Sequence, residues 1–91
     1  MIALQVSLYP IEQKDINQAL DAFWSALTQE GINYKITPLS TITWGKDDKK
    51  LYDAVFAAYK QARLFGKAVM VTTLATGEDD DIGQLLDFLS Q

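Results

Sequence analysis

The order in which hydrophobic periodicity changes along this chain limits its fold more than any other feature. Strand spacing, with apolar residues at every second position, alternates with helical spacing of three and four residues. The strand-like segments are residues 2–9, 32–37, 41–44 and 68–75, and the helix-like segments are 16–27, 51–65 and 82–89. The resulting order is β-α-β-β-α-β followed by a short C-terminal helix.

Residues that start and stop secondary structure lie at the ends of these segments. Pro10 lacks a backbone N–H and predicts the end of the first strand. Asp15 predicts an N-cap for the first helix, and Gly31 lies where a left-handed C-terminal residue belongs. Asp47 or Asp48 begins the second helix.

This order predicts an α+β fold of the ferredoxin-like type. Two split βαβ units place both helices on one face of a four-stranded antiparallel sheet. Residues 1–91 are too few for more than one domain of ordinary size. The fourth strand, residues 68–75, reads Ala-Val-Met-Val-Thr-Thr-Leu-Ala and is apolar enough to be a central strand.

The second face of such a sheet receives no helix from the βαββαβ units. It carries apolar and aromatic groups that water would otherwise contact, and covering it with another copy of the chain removes that exposure. We therefore expect a homodimer or a homotetramer.

Composition excludes several kinds of chemistry. The chain has no cysteine and no histidine, which removes disulfides, thiol nucleophiles, Ser-His pairs and the usual zinc and haem sites. A net charge of −4 disfavours nucleic acid as a partner. No cofactor and no metal site is predicted.

The pattern of the first residues predicts no targeting segment. The first residues form a strand pattern without a basic region, and no segment approaches the roughly 20 apolar residues that span a bilayer. The expectation is a cytoplasmic protein without membrane attachment.

Acidic clusters give little support for an enzyme. Asp47–Asp48 and residues 78–81 lie at predicted helix N-termini, where negative charge is favourable without any catalytic role. A phosphatase needs an anion-binding loop with arginine, but Arg63 is the only arginine and lies within the second helix. We therefore predict that the protein is not an enzyme.

Hydroxyl and aromatic side chains are concentrated in two segments, residues 7–10 and 37–45. Such a mixture suits a small, flat, polar ligand held by hydrogen bonds and stacking. Threonine is also a good strand former, so the same residues are equally compatible with a purely structural role. Trp24, beside the apolar stripe of the first helix, is interpreted as a packing residue.

Three stretches together resemble the YkoF-like family of thiamine- and hydroxymethylpyrimidine-binding proteins. They read Val-Ser-Leu-Tyr-Pro (6–10), Thr-Pro-Leu-Ser-Thr-Ile-Thr-Trp-Gly (37–45) and Ala-Val-Met-Val-Thr-Thr (68–73). The likeness extends over residues 2–75. It implies a ferredoxin-like fold, no catalysis, and cytoplasmic binding of thiamine or its pyrimidine half in vitamin salvage or transport.

Position matching to this family, together with side-chain chemistry, gives a candidate ligand site. Its members are Ser7, Tyr9, Thr37, Ser40, Thr41, Trp44, Met70 and Thr72. Hydroxyls match the ring nitrogens and amino group of an aminopyrimidine, and a thiazolium cation can rest on Trp44 or Tyr9. A carboxylate from Glu12, Asp47 or Asp48 would sharpen recognition, and the sequence does not select among them.

Two other functions remain open at this point. One is an ACT-like regulatory module that binds a small molecule at a subunit interface and acts on an enzyme partner. The other is a small ferredoxin-like enzyme, which without histidine would need a buried Asp, Glu or Tyr with a shifted pKa.

Overall fold

The computed structural model describes residues 1–89. The sequence predicts that Leu89 joins the last apolar stripe, but its side chain lies outside the described part of the chain. Its elements are β1 (Ile2–Ile11), α1 (Ile16–Gln29), β2 (Asn33–Ile36), β3 (Thr41–Gly45), α2 (Asp48–Arg63), β4 (Lys67–Thr76) and α3 (Asp79–Leu89). The predicted order of elements is confirmed.

The four strands form one antiparallel sheet in the order β2-β3-β1-β4. This order, with the two helices of the βαβ units on one face, confirms the ferredoxin-like α+β fold. The central strands are β1 and β3, so the prediction that the fourth strand is central is wrong. Within residues 1–89, β4 bonds to β1 along all ten of its residues and to no strand on its other side.

Two helix caps form as the sequence predicts. The Asp15 carboxylate accepts a hydrogen bond from the Asn17 N–H at 2.9 Å. The Asp47 carboxylate accepts one from the Lys50 N–H at 3.1 Å. Both satisfy amides that the first helical turn leaves without an internal partner. Gly31 follows α1 with φ of +69°, the left-handed conformation expected there.

The first strand does not end at Pro10 but continues to Ile11. Beyond Val6, β1 is paired with β4 alone, because β3 begins at Thr41 opposite Val6. Pro10 therefore lies in a stretch with an open side, where a missing N–H removes no bond between strands.

The main core lies between the sheet and the pair α1 and α2. Its buried members come from alternate positions of β1 and from one stripe on each helix. They are Ile2, Leu4, Val6, Ala19, Phe23, Leu27, Leu51, Val55, Ala58 and Ala62. In the sheet β1 lies beside β3, and its buried residues pack against α1. These two contacts set the position of the pocket described below.

The opposite face of the sheet is covered in part by α3. Ala3 and Ile42 lie on this face, since their neighbours Leu4 and Thr43 point to the helices, and both are buried. Ile82 of α3 is only 2% exposed. Backbone hydrogen bonds between Met1 and Gly77 place the start of α3 beside the start of β1. The βαββαβ units themselves place no helix on this face, and the additional helix α3 covers its end nearest Ala3.

None of the helices described in residues 1–89 is both long and apolar enough to cross a membrane.

Candidate functional site

A pocket of about 190 Å³ lies between α1 and the end of the sheet where β1 extends past β3. We call it the Thr41 pocket. It is lined by Val6, Leu8, Leu20, Phe23, Trp24 and residues 36–41. Three elements meet there, because the chain turns from β2 into β3 beside the exposed end of β1.

The turn between β2 and β3 is closed by its own hydroxyl groups. The Thr37 hydroxyl oxygen lies 2.9 Å from both the Ser40 carbonyl oxygen and the Ser40 hydroxyl. It also accepts a hydrogen bond from the Ser40 N–H at 3.0 Å, and the Thr37 N–H donates to the Ser40 carbonyl at 2.8 Å. This turn is therefore a fixed wall of the pocket.

A second wall of the pocket is provided by Trp24. Its indole N–H donates to the Thr41 hydroxyl oxygen at 2.9 Å. Trp24 also packs against the main core, so the ring is held on one side by apolar contacts and at its nitrogen by a hydrogen bond. The bond ties α1 to the first residue of β3.

The remaining lining is apolar. Val6 and Phe23 are buried members of the core, and Leu8 and Leu20 are partly buried. Every residue that lines the pocket is apolar, aromatic or a hydroxyl residue, so none of them titrates near neutral pH. The pocket thus has an uncharged interior.

One hydrogen-bonding group of the pocket remains available after these internal bonds are made. Thr41 accepts from Trp24 and keeps its own proton for donation to a ligand. The Ser40 hydroxyl is already bonded to the Thr37 hydroxyl at 2.9 Å and to the Gln5 side-chain amide at 3.1 Å, and Gln5 lies on the sheet face away from α1. The pocket therefore presents the Thr41 hydroxyl above an apolar floor.

The structure brings Thr37, Ser40 and Thr41 of the predicted site into this pocket. Ser7 and Tyr9 lie on the other face of the sheet, because they alternate with Val6 and Leu8. Ser7 still contacts the turn, since its hydroxyl donates to the Leu39 carbonyl at 3.4 Å. Tyr9 is exposed.

The other three predicted residues do not line the pocket. Trp44 pairs with Ala3 and Asn33 on the sheet face away from α1, three residues or about 10 Å along β3 from Thr41. Met70 and Thr72 lie on the helix side of β4, two strands or roughly 10 Å from β3. Trp44 therefore cannot serve as a stacking platform for a ligand in the Thr41 pocket.

Trp24 and Leu20 are lining residues that sequence reasoning did not select. Both belong to α1 and are four residues apart, so they lie on one helix face. The sequence feature that could have pointed to Trp24 is its indole N–H. A tryptophan beside a buried stripe needs a hydrogen-bond acceptor for that group. Identifying Thr41 as that acceptor requires the tertiary structure.

A wider groove of about 570 Å³ lies at the N-terminal half of α2 and has a different character. There Lys49 contacts Asp53 at 2.7 Å, one turn further along the helix. The hydrogen bond with Asp53, aided by the attraction between the two charges, raises the pKa of Lys49 above its ordinary value. Since both side chains are exposed and paired, this groove is solvated surface.

Comparisons with known proteins establish a shared fold. No protein-family model and no curated protein matches the sequence. A Streptococcus pneumoniae protein of known structure is similar with a TM-score of 0.79 and 18% identity, over 94% of this chain and 97% of that chain. A domain of unknown function, DUF77, from Bacillus cereus has a TM-score of 0.74 and 18% identity, over 86% of this chain and 77% of that one.

A third similar structure is a Thermotoga maritima protein provisionally assigned to thiamine biosynthesis or salvage. Its TM-score is 0.72 at 13% identity, over 92% of this chain and 97% of that chain. Identities this low are evidence for the fold alone.

Proposed function

We propose that this protein binds thiamine or its hydroxymethylpyrimidine half in the Thr41 pocket and does not convert it chemically. The pyrimidine ring occupies the pocket, with one edge toward Ser40 and Thr41. The thiazolium part of thiamine then extends toward the surface. Membership of the YkoF-like family, a cytoplasmic location and a role in vitamin salvage or transport belong to the same proposal.

The observation that carries the proposal is the Thr41 hydroxyl, which accepts from the Trp24 indole and keeps its proton for a ligand above an apolar floor. A 4-aminopyrimidine edge presents a ring nitrogen that accepts a hydrogen bond beside an amino group that donates one. The Thr41 proton matches the ring nitrogen. Each buried polar pair of this kind favours a complementary ligand over an apolar ring of the same size.

The size of the pocket supports a single-ring ligand. Its volume of about 190 Å³ is below the roughly 300–1,000 Å³ of sites for drug-sized molecules. One aromatic ring therefore fits between the Trp24 wall and the turn, and the second ring of thiamine remains outside.

The lack of titratable groups among the lining residues supports binding without catalysis. General acid or base chemistry needs such a group within hydrogen-bonding reach of the reacting atom. The lining contributes only hydroxyl groups, an indole and apolar side chains, and none of its hydroxyls contacts a histidine or lysine that would activate it as a nucleophile.

Two findings outside the pocket agree with this ligand. Two of the three sequence stretches that resemble thiamine-binding proteins, residues 6–10 and 37–45, contribute to the pocket, and one structure of the same fold is provisionally assigned to thiamine biosynthesis or salvage.

The test is calorimetric titration with hydroxymethylpyrimidine and, separately, with thiamine, in wild type and in two single-tryptophan variants. Trp24 and Trp44 are the two tryptophans of the chain. Trp44→Phe retains the indole of the pocket, so we expect saturable binding and a change in its fluorescence. Trp24→Phe removes the donor to Thr41 and the matching wall, and we expect at least about tenfold weaker binding.

Thr41→Val gives a second test because it keeps the shape of the residue and removes the hydroxyl. We expect a loss of about tenfold or more, since the ring nitrogen then has no donor. No heat from either ligand with wild type contradicts the proposal. Binding that Trp44→Phe abolishes and Trp24→Phe leaves intact moves the site to the other face of the sheet.

A further inference from the structure

The turn of residues 37–40 forms one wall of the Thr41 pocket, and its position depends on contacts from outside it. The hydrogen bonds within the turn fix its shape but not its distance from α1, because a closed turn can still tilt about the two strands that it joins. Leu39 is 88% exposed, the largest value among the large apolar side chains described in residues 1–89. Packing of Leu39 therefore does little to hold the turn in place.

Two side chains of β1 hold the turn by hydrogen bonds. The Gln5 side-chain amide donates to the Ser40 hydroxyl oxygen at 3.1 Å. The Ser7 hydroxyl donates to the Leu39 carbonyl at 3.4 Å. Within residues 1–89, these are the described side-chain hydrogen bonds that join the turn to the rest of the chain, and we call them the β1–turn contacts.

The β1–turn contacts come from the sheet face opposite the pocket. Gln5 and Ser7 alternate with Val6 and Leu8, which line the pocket on the helix side. Because β3 begins opposite Val6, the turn lies beside the open side of β1, where both side chains can reach it. One wall of the pocket is thus positioned by two residues that do not line it.

The bond from Gln5 has a fixed direction. The Thr37 hydroxyl donates its proton to the Ser40 carbonyl, so the Ser40 hydroxyl is the donor in its 2.9 Å bond to Thr37. With its proton used in this way, the Ser40 hydroxyl accepts from Gln5, and the amide must supply the donor. A side chain of similar length that cannot donate therefore releases the turn at this point.

The second wall of the pocket does not depend on Gln5. Trp24 packs against the main core, and its indole N–H donates to Thr41. Thr41 is itself held in the sheet, opposite Val6 of β1 and Ile36 of β2. A tilt of the turn therefore changes the width of the pocket, which is about 190 Å³ in volume with the turn in place.

We propose that Gln5, assisted by Ser7, limits the size of the group that the Thr41 pocket accepts. The inference rests on the function proposed above, because it concerns the same pocket and the same class of ligand, a 4-aminopyrimidine. Gln5 does not line the pocket, so it is a positioning residue that acts on the ligand through Ser40 and the turn.

The orientation of the ring identifies the part of the ligand that meets this limit. In hydroxymethylpyrimidine, the carbon that bears the hydroxymethyl group lies across the ring from the carbon that bears the methyl group. The first of these carbons is the one that carries the thiazolium part in thiamine, and in the proposed complex it faces the surface. The methyl group therefore points into the pocket, where the held turn leaves little room for a longer chain.

The test is the ratio of two dissociation constants, measured by calorimetry for hydroxymethylpyrimidine and for its analogue with propyl in place of methyl. We expect wild type to bind the methyl compound at least about tenfold more tightly. Gln5→Met keeps the length of the side chain and removes the donor, and we expect the ratio to fall to about threefold or less. A uniform loss of stability or of active protein does not change this ratio.

Two further variants separate positioning by Gln5 from a general effect of substitution. Gln18→Met makes the same change at an exposed position of α1 and is the matched control, with an unchanged ratio expected. Ser40→Ala removes the acceptor of the Gln5 bond. If Gln5 acts through Ser40, Gln5→Met has no further effect on the ratio in a Ser40→Ala background.

Amide hydrogen exchange tests the β1–turn contacts without a ligand. The Thr37 and Ser40 amides donate within the turn, and they exchange when the turn opens. We expect at least about threefold faster exchange of both amides in Gln5→Met, because the turn then loses its bond to β1. Gln18→Met should leave their exchange unchanged.

The outcomes distinguish this inference from the proposed function. If wild type binds hydroxymethylpyrimidine and Gln5→Met has the same ratio, the size limit is overturned while the proposed function stands. Equal amide exchange in wild type and Gln5→Met overturns the inference as well. A wild type that binds neither pyrimidine contradicts the proposed function and the size limit together.

Discussion

The indole nitrogen of Trp24 and the hydroxyl oxygen of Thr41 lie 2.9 Å apart, and this hydrogen bond joins the middle of α1 to the first residue of β3. Thr41 is buried and Trp24 is partly buried. The bond is therefore shielded from water, and it sets the distance between the two walls of the Thr41 pocket.

A double-mutant cycle measures this bond. Trp24→Phe removes the donor, Thr41→Val removes the acceptor, and the double variant removes both. We expect a coupling of about 1 kcal/mol in the free energy of unfolding, obtained from urea titrations. Single effects that add to the double effect would mean that the hydrogen bond contributes nothing to stability.

Phe23 is the largest of the fully buried side chains, whereas Phe88 on α3 is 71% exposed. Phe23→Ala is expected to lower the free energy of unfolding by about 3–5 kcal/mol, because it leaves a cavity between α1 and the sheet. Phe88→Ala is the matched control, with an expected change within about 0.5 kcal/mol. Calorimetry checks both, and equal effects would contradict the described core.

Ile82 tests whether α3 covers the second face of the sheet. Ile82→Ala is expected to destabilise the protein by about 2–4 kcal/mol, since it removes contacts from a buried position. Ile16, at the start of α1, is half exposed, and Ile16→Ala should change stability by less than about 1 kcal/mol. A loss for Ile82→Ala as small as that of the control would show α3 to be undocked in solution.

Two glycines with positive φ differ in their surroundings. At Gly31, with φ of +69°, an added Cβ meets no atom within 4 Å, so Gly31→Ala costs about 1–2 kcal/mol from the backbone alone. At Gly66, φ is +142° and the Cβ lies 3.0 Å from Cγ of Gln13.

Movement of Gln13 away from that Cβ disturbs its 2.8 Å hydrogen bond to the Lys67 carbonyl. We therefore expect Gly66→Ala to cost at least about 1 kcal/mol more than Gly31→Ala in urea unfolding. Equal losses would mean that the Gln13 side chain moves aside at no cost.

The order of elements follows from local sequence, and so do the caps. Val6 and Leu8 mark a strand by spacing alone, and Asp15 and Asp47 cap helices through contacts two or three residues away. The position of β4 does not follow in this way. The apolar composition of β4 indicates that apolar groups surround it, but it does not say whether those groups belong to the same chain. In the fold, β4 lies at the edge of the sheet.

The candidate site was predicted in part for a similar reason. Thr37, Ser40 and Thr41 are close in sequence and meet in the pocket. Ser7 shares their chemistry, but alternation along β1 sends it to the other face while Val6 points to the helices. Trp24 joins the pocket only through a contact with a residue 17 positions away, which no local pattern contains.

The hydroxyl bonds within the turn at Thr37 and Ser40 have a kinetic consequence. A loop that becomes ordered around its ligand gives up conformational freedom at that moment, and affinity falls accordingly. Here one wall is closed by its own hydrogen bonds, so entry of the ligand proposed above would not wait for a loop to close. We therefore expect its association to be limited by diffusion and by the orientation of the entering ring, and differences in affinity among related ligands to arise from how long each stays bound.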